Sequence, residues 1–145
     1  MAIPNAVESL IGLPYRYING PMAGSRLAEG VNCQLLVHLA LELLHGINLP
    51  PAMMSKEIFE DHEFFEEIPL DTASFGDVFV FGKADETDLR QLHLAVKIDE
   101  DPRTQQSLLI HATSIEKAVT VWPLIRFSSY PRYKKLFAVK RLKQP

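Results

Sequence analysis

One strong helical segment near the start of the chain, followed only by short β-type runs, constrains the fold most. Asn32 is a favourable N-cap, Cys33–His45 is the helix body, and Gly46 suits the position after the last turn. The proline pair at 50–51 prevents the helix from continuing. Beyond Pro69 the pattern changes to short runs rich in β-branched and aromatic residues. Helices first and strands afterwards predict an α+β fold, in which N-terminal helices pack on one antiparallel sheet of about five to six strands.

The weaker elements complete this layout. Pro4–Ile11 predicts a short helix that ends at Gly12, and Ser55 is the expected cap of a helix over Lys56–His62. Between them, a stretch rich in Gly, Pro, Asn and Ser predicts a loop over Leu13–Val31. Five runs predict strands: Val78–Phe81, His93–Ile98, Leu108–Thr113, Ala118–Trp122 and Lys135–Leu142. Without internal repeats, a chain of 145 residues is expected to form a single domain over 1–145.

Composition excludes several classes of protein. Apolar residues make up 47% and charged residues 23%, which is incompatible with a disordered chain. No apolar run reaches the ~18 residues that a membrane-spanning helix needs. Because the start has neither a basic leader nor a long apolar stretch, we expect no secretory signal and a cytoplasmic protein as synthesised, with export by another route left open. A single cysteine, Cys33, excludes an internal disulfide framework and a cysteine-built zinc site.

Charge is distributed unevenly along the chain. Most acids lie between Glu57 and Asp101, and none follows Glu116, whereas the last third is basic. A basic segment can bind an anionic polymer, but the net charge is −3 and aromatic residues do not alternate with the Lys and Arg residues. We therefore expect no nucleic-acid partner. The alternative is a terminal strand with a charged outer face, which the composition of Phe137–Leu142 fits.

Cys33 is the first candidate for chemistry because it occupies the first position of the long helix. Unpaired backbone N–H groups and the helix dipole favour an anion there. Such a site lowers a thiol pKa from ~8.5 into the range of roughly 3.5–7.5. The same N–H groups can stabilise an oxyanion. The alternative is an inert, buried cysteine that acts as a small hydrophobic residue.

Two histidines are the second candidate. His93 opens one strand and His111 lies in the next, at equal distances from Pro102 in the turn between them. A symmetric hairpin would place the two imidazoles directly opposite each other, at about 5.5 Å between Cα atoms. One imidazole would then serve as the base for the thiol and the other would orient it. The alternative is a pair of ordinary strand histidines on a half-exposed face.

A third polar group lies on the long helix itself. His38, Glu42 and His45 are spaced i, i+4 and i+7, a spacing that permits metal chelation. Together with Gln34 they also form the polar stripe of an otherwise apolar helix, which is typical of a solvated face. We favour the solvated face and expect neither a metal nor another cofactor.

Five short motifs in this order resemble the NlpC-type family of papain-like cysteine peptidases, best known for cutting bacterial cell-wall peptides. In chain order they are Gly12–Tyr17, Asn32-Cys33, Gly76–Phe81, His93–Val96 and Ile110–Ala112. The resemblance implies a papain-like core with Cys33 as nucleophile, His93 as base and His111 as the orienting residue. It also implies that Tyr15 contributes to the oxyanion hole and that Asp77 is structural rather than catalytic.

The nucleophile segment departs from the family pattern. The family usually has Asp-Cys-Ser-Gly, whereas this chain has Asn32-Cys33-Gln34-Leu35. The family Asp and Ser help to hold the free amine of a cell-wall peptide stem, so neutral Asn32 and bulky Gln34 at these substrate-binding positions predict a different substrate preference.

The resemblance implies a thiol-dependent hydrolase that cleaves amide bonds of a peptide or peptidoglycan-like substrate through an acyl-enzyme on Cys33. One alternative is an acyltransferase or thioesterase on the same core. Lipid-acting relatives share Asn-Cys at the nucleophile, but they place His ahead of Cys, whereas Cys33 precedes both histidines here. Another alternative is an inactive binding module, against which the retention of all three polar positions argues.

Overall fold

A single six-stranded antiparallel sheet organises the protein. The structure is a computed structural model, and it describes residues 5–22 and 29–143. The strands are β1 (Phe65–Ile68), β2 (Val78–Gly82), β3 (His93–Glu100), β4 (Ser107–Thr113), β5 (Ala118–Pro123) and β6 (Lys135–Leu142). Their order in the sheet is β1-β6-β2-β3-β4-β5. The predicted α+β class and the single antiparallel sheet of five to six strands are confirmed.

Within the described residues, four helices accompany the sheet: α1 (Asn5–Glu8), α2 (Cys33–His45), α3 (Ser55–Glu60) and α4 (Leu124–Phe127). The long helix α2 has the predicted bounds. The Asn32 side chain accepts a hydrogen bond from the Leu35 N–H at 2.9 Å, and Gly46 has the left-handed backbone, φ 68°, that ends the helix. Short 3₁₀ turns, among them Leu70–Thr72, Leu89–Gln91 and Pro131–Tyr133, connect elements.

Several predicted bounds change in the structure. The helix predicted over Pro4–Ile11 is the single turn of α1, and Pro4 lies outside the described residues, as do residues 23–28 of the predicted loop. Ser55 is not the cap of α3 but its first residue, and it is fully buried. Strand β1 was not predicted from the sequence, because its run of four residues carries two glutamates and alternates poorly.

Each face of the sheet packs against its own hydrophobic core. On one face, α2 contributes Leu36, Val37, Ala40 and Leu41 to a core that also includes alternate residues of β3, beginning with Leu94. On the other face lies a second, mostly aromatic core. Its buried members are Phe79, Phe81, Ala95, Leu109, Trp122, Phe127, Tyr133 and Val139. The sequence predicted helices on the sheet but not this second layer.

Strand β6 lies inside the sheet, between β1 and β2. Glu66 pairs with Arg141 and Glu67 with Lys140 across the β1–β6 ladder, so opposite charges face each other. Lys140 is fully buried. The charged outer face predicted for this strand is therefore wrong at Lys140. Among the described residues, no helix is long and apolar enough to cross a membrane.

Candidate active site

The start of α2 is held by the chain segment that precedes it. Tyr15 and Val31 form a β-bridge, and the Asn32 N–H donates to the Asn19 carbonyl at 3.1 Å. The Asn32 side chain also donates to the Tyr17 carbonyl at 3.2 Å. At Gly30, φ is 109° and a Cβ would sit 2.6 Å from the Pro14 oxygen, so this close approach requires glycine.

Polar side chains connect α2 to α3 behind the nucleophile position. Asn32 Nδ2 donates to Gln34 Oε1 at 3.0 Å, and Gln34 Nε2 donates to the Ser55 hydroxyl at 3.0 Å. The Ser55 hydroxyl and the Leu94 N–H both donate toward the Cys33 sulfur. The thiol therefore lies between the first turn of α2, α3 and the start of β3.

The Cys33 thiol is protonated in the free protein. Burial raises the pKa of the Cys33 thiol above its ordinary value, and the hydrogen bonds from Leu94 and Ser55 lower it by less. The lowered pKa predicted from the helix N-terminus is therefore wrong, because desolvation of the charged form outweighs the favourable dipoles.

His93 and His111 form a hydrogen-bonded pair, with 2.8 Å between His93 Nε2 and His111 Nδ1. The predicted register is wrong. Val96 pairs with Ile110, so continuing the ladder places His111 across from Ala95 rather than His93. The rings are diagonal neighbours on one face of the sheet, a separation that imidazoles can bridge. The offset arises because Glu100 pairs with Ser107, which centres the hairpin between residues 103 and 104 rather than on Pro102. A register shift within β3, between Lys97 and Asp99, removes only part of this offset.

Aromatic rings enclose this histidine pair. Tyr133 stacks on His93 with ring centroids 4.2 Å apart, while Trp122 lies edge-on to His111 at 4.4 Å. His111 is fully buried, and its Nε2 has no hydrogen-bond partner among the described residues. Burial lowers the pKa of both imidazoles, with a smaller contribution from the Arg132 charge at His93. Both rings are therefore neutral at pH 7, and they are not the half-exposed strand histidines of the alternative interpretation.

A cavity of about 240 Å³ brings the predicted site residues together. Its lining residues are Tyr15, Tyr17, Asn32, Cys33, Gln34, Arg90, Gln91, Leu92, His93, Ala112, Ser114, Arg132 and Tyr133. Of the residues predicted from the sequence, His111 alone does not line this cavity, and it contacts the site through His93. Burial, and next the nearby Cys33, raise the pKa of Tyr15, so its hydroxyl is protonated at neutral pH.

Solved structures share this architecture. A Staphylococcus aureus subsp. aureus Mu50 protein of the NLP/P60 family, described as similar to lipoprotein, matches with a TM-score of 0.66 and 17% identity over 97% of this chain and 40% of its own. NlpC1 from Trichomonas vaginalis matches with a TM-score of 0.65 and 17% identity over 97% of this chain and 43% of its own. The chain has the NlpC/P60 fold.

A third similar structure has nearly the same length as this chain. It is an N-acetylmuramoyl-L-alanine amidase from Bacteroides uniformis ATCC 8492, with a TM-score of 0.60 and 12% identity over 97% of this chain and 98% of its own. In contrast, the chain spans only about two fifths of the first two structures. No protein-family model and no curated protein sequence matches the chain. The NlpC/P60 fold predicted from the motif order is thus confirmed at the level of three-dimensional structure.

Within this NlpC/P60 fold, three residues of the site were missed by the sequence analysis. Ser55 was assigned only a capping role, whereas its hydroxyl contacts both Gln34 and the Cys33 sulfur. Arg132 and Tyr133 lie in the basic last third, which carried no local signal of a site. Their distance along the chain from Cys33 and His93 explains why a sequence pattern does not identify them.

The polar stripe of α2 is only partly solvated. His38 Nε2 lies 2.7 Å from the Met53 carbonyl oxygen, so this ring contacts the segment before α3. Within residues 5–22 and 29–143, no group of three or more His, Cys, Asp or Glu side chains is placed to hold a metal. Asp77, predicted to be structural, is 2% exposed and accepts hydrogen bonds from Arg141 at 2.8 and 3.0 Å and from the Ser74 N–H at 2.8 Å.

Proposed function

We propose that the protein is a thiol-dependent hydrolase of amide bonds that works through an acyl-enzyme on Cys33. One observation carries the proposal: a cysteine at the first turn of a helix lines one cavity together with a histidine that is hydrogen-bonded to a second, buried histidine. A nucleophile, a base and a group that orients the base are the parts that acyl transfer requires. The NlpC/P60 fold supports this arrangement of parts.

The first step is attack by the Cys33 sulfur on the substrate carbonyl. Because the thiol and both imidazoles are neutral at pH 7, His93 accepts the thiol proton as the sulfur attacks, rather than beforehand. The bond between carbonyl carbon and sulfur forms, and the carbonyl oxygen becomes an oxyanion. Backbone N–H groups at the start of α2 and the protonated Tyr15 hydroxyl are the donors available to stabilise it.

His111 sets the tautomer of His93. Because His93 Nε2 contacts His111 Nδ1, the nitrogen left to accept the thiol proton is His93 Nδ1. His93 Nε2 then carries a hydrogen and donates it to His111. Protonated His93 next gives its Nδ1 proton to the leaving amine, and the amine departs as the tetrahedral intermediate collapses to the thioester. His93 finally accepts a proton from the water that attacks this thioester, and it returns that proton to the Cys33 sulfur as the C–S bond breaks and the carboxylic acid is released.

The substrate we propose is a peptide or a peptidoglycan-like molecule. The structural likeness to an N-acetylmuramoyl-L-alanine amidase supports this class. Asn32 and Gln34 bring no negative charge to the cavity, and their amide groups hydrogen-bond to each other and to Ser55. The subsite beside the nucleophile therefore suits a substrate without a free amine.

Hydrolysis of defined N-acylated peptides and muropeptides, followed by mass spectrometry, tests the proposal. The native protein should release the amine product, and Cys33→Ala should abolish release. His93→Ala should lower kcat by at least about 10²-fold. His62→Ala, at an exposed position just after α3 and outside the lining of the cavity, should retain native activity. Hydrolysis by the Cys33→Ala variant would contradict the proposal. Absence of turnover, with Cys33 no more reactive than a free thiol, would favour an inactive binding module.

A further inference from the structure

The cavity has an uncompensated positive charge. Two arginines line it, and none of its described lining residues is an Asp or a Glu. Arg90 is already paired with Asp88 at 3.0 Å. Arg132 is exposed and makes no ion pair or side-chain hydrogen bond within the described part of the chain. Arg132 therefore supplies a free guanidinium to the cavity wall.

The turn that carries Arg132 is anchored to the proposed catalytic groups. Arg132 lies in the 3₁₀ turn Pro131–Tyr133, whose proline restricts the backbone. The next residue, Tyr133, is buried, stacks on His93 and hydrogen-bonds through its hydroxyl to Thr113 Oγ1 at 2.6 Å. These contacts hold the backbone of Arg132 in place beside the histidine.

The positive charge of Arg132 acts electrostatically on the proposed reacting groups. Its charge lowers the pKa of Cys33, of His93 and of Tyr15, although burial remains the largest influence on each. A cation that stabilises negative charge on the sulfur and on the Tyr15 oxygen will also attract an anion bound between them.

We infer that Arg132 is a substrate-binding residue that holds a carboxylate of the substrate beside the amide to be cleaved. An arginine fork binds a carboxylate through two parallel hydrogen bonds, which orients as well as attracts it. The inference rests on the proposed function and narrows its substrate class: an amide whose acyl or amine part carries a carboxylate near the scissile bond.

Alkylation of Cys33 by iodoacetate and iodoacetamide tests the anion subsite without requiring turnover. Iodoacetate carries a carboxylate where iodoacetamide carries a neutral carboxamide. With either reagent the Cys33 sulfur forms a bond to carbon and displaces iodide. Arg132→Gln should lower the ratio of the iodoacetate rate to the iodoacetamide rate by roughly three- to tenfold, the effect of one screened pair of unit charges. Arg132→Lys should restore part of the ratio. Arg103→Gln, an exposed control in the turn between β3 and β4, should leave it unchanged.

Substrate pairs with a free and an amidated carboxylate extend the test. Arg132→Gln should lower kcat/KM for the free carboxylate by about tenfold or more and change it little for the amidated partner. An unchanged alkylation ratio in Arg132→Gln, or an equal fall in Arg103→Gln, would overturn the inference. If amidated substrates were still hydrolysed in a reaction that depends on Cys33, the proposed hydrolase function would be retained. Failure of the Arg132 inference can therefore be distinguished from failure of the proposed function.

Discussion

Asn32 combines a structural role with a place in the cavity wall. Its side-chain oxygen caps α2 through the Leu35 N–H, and its nitrogen donates to the Tyr17 carbonyl and to Gln34. It is nearly buried, at 9% exposure. An aspartate at this position would keep the cap and add a negative charge next to Cys33, but it would lose both donated hydrogen bonds.

Asn32→Asp is therefore expected to raise the preference for substrates with a free amine over their acetylated partners by about ten- to a hundredfold, since a charge-assisted contact is worth on the order of 1.5–3 kcal/mol. Paired kcat/KM values measure this preference. Asn32→Ala, which loses the cap, should lower the free energy of unfolding by about 1–2 kcal/mol, whereas Glu42→Ala on the exposed face of α2 should change it little. A native protein that already prefers free amines tenfold would contradict the expectation.

Lys140 joins two elements that are distant in the sequence. Its ammonium donates to the Phe59 carbonyl at 3.0 Å and to the Asp61 carbonyl at 2.8 Å, at the end of α3. These carbonyls lie where a helix leaves its last acceptors unpaired. The Asp61 side chain in turn accepts from the N–H groups of Phe64, just before β1, and of Phe65, its first residue. One buried cation thus fixes α3 and β1 against β6.

Replacing this cation with an apolar chain of similar length should weaken the connection. Lys140→Met is expected to lower the free energy of unfolding by about 1–3 kcal/mol, because it leaves two acceptors without their donor. Urea denaturation measures the difference. Lys134→Met removes the same charge at an exposed position and should stay within about 0.5 kcal/mol of the native protein. Equal free energies of unfolding for the two variants would show that the Lys140 ammonium makes no net contribution to stability.

At the scale of the whole molecule, the buried histidine pair links stability to pH. Burial lowers the pKa of His93 and of His111 in the folded state, while both rings titrate near about 6.5 in the unfolded chain. Below that pH the unfolded state binds more protons than the folded state does. Stability is therefore fully present above about pH 6.5 and is lost as the pH falls below it.

The loss should reach up to about 1 kcal/mol per pH unit for each ring. Urea denaturation at pH 7.5, 6 and 5 measures the slope for the native protein and for His111→Asn, whose amide retains a hydrogen-bonding group beside His93. Removing one titrating ring should make the slope visibly shallower, while His62→Ala should leave it unchanged. Identical slopes in native protein and His111→Asn would mean that the ring protonates without cost.

Local sequence determined the elements whose signals lie within one stretch of chain. Helix α2 has both its cap and its end encoded within fifteen residues, and five strands follow their runs of β-branched and aromatic residues closely. The order of motifs was enough to predict the NlpC/P60 fold, because each motif marks a different part of the same core. Motif order also singled out Cys33 and His93, which line one cavity, and His111, which contacts His93, whereas their catalytic roles stay a prediction.

Only the tertiary structure decided the features that depend on contacts between distant segments. Strand β1 forms by pairing with β6, where Glu66 and Glu67 lie across from Arg141 and Lys140, and the run itself does not reveal this partner. Desolvation, a property of the folded interior, reversed the pKa shift expected for Cys33. The sites of Ser55 and Arg132 depend on how α3 and the turn before β6 pack around the cavity. Burial and long-range pairing are set by the whole chain, and no local pattern encodes them.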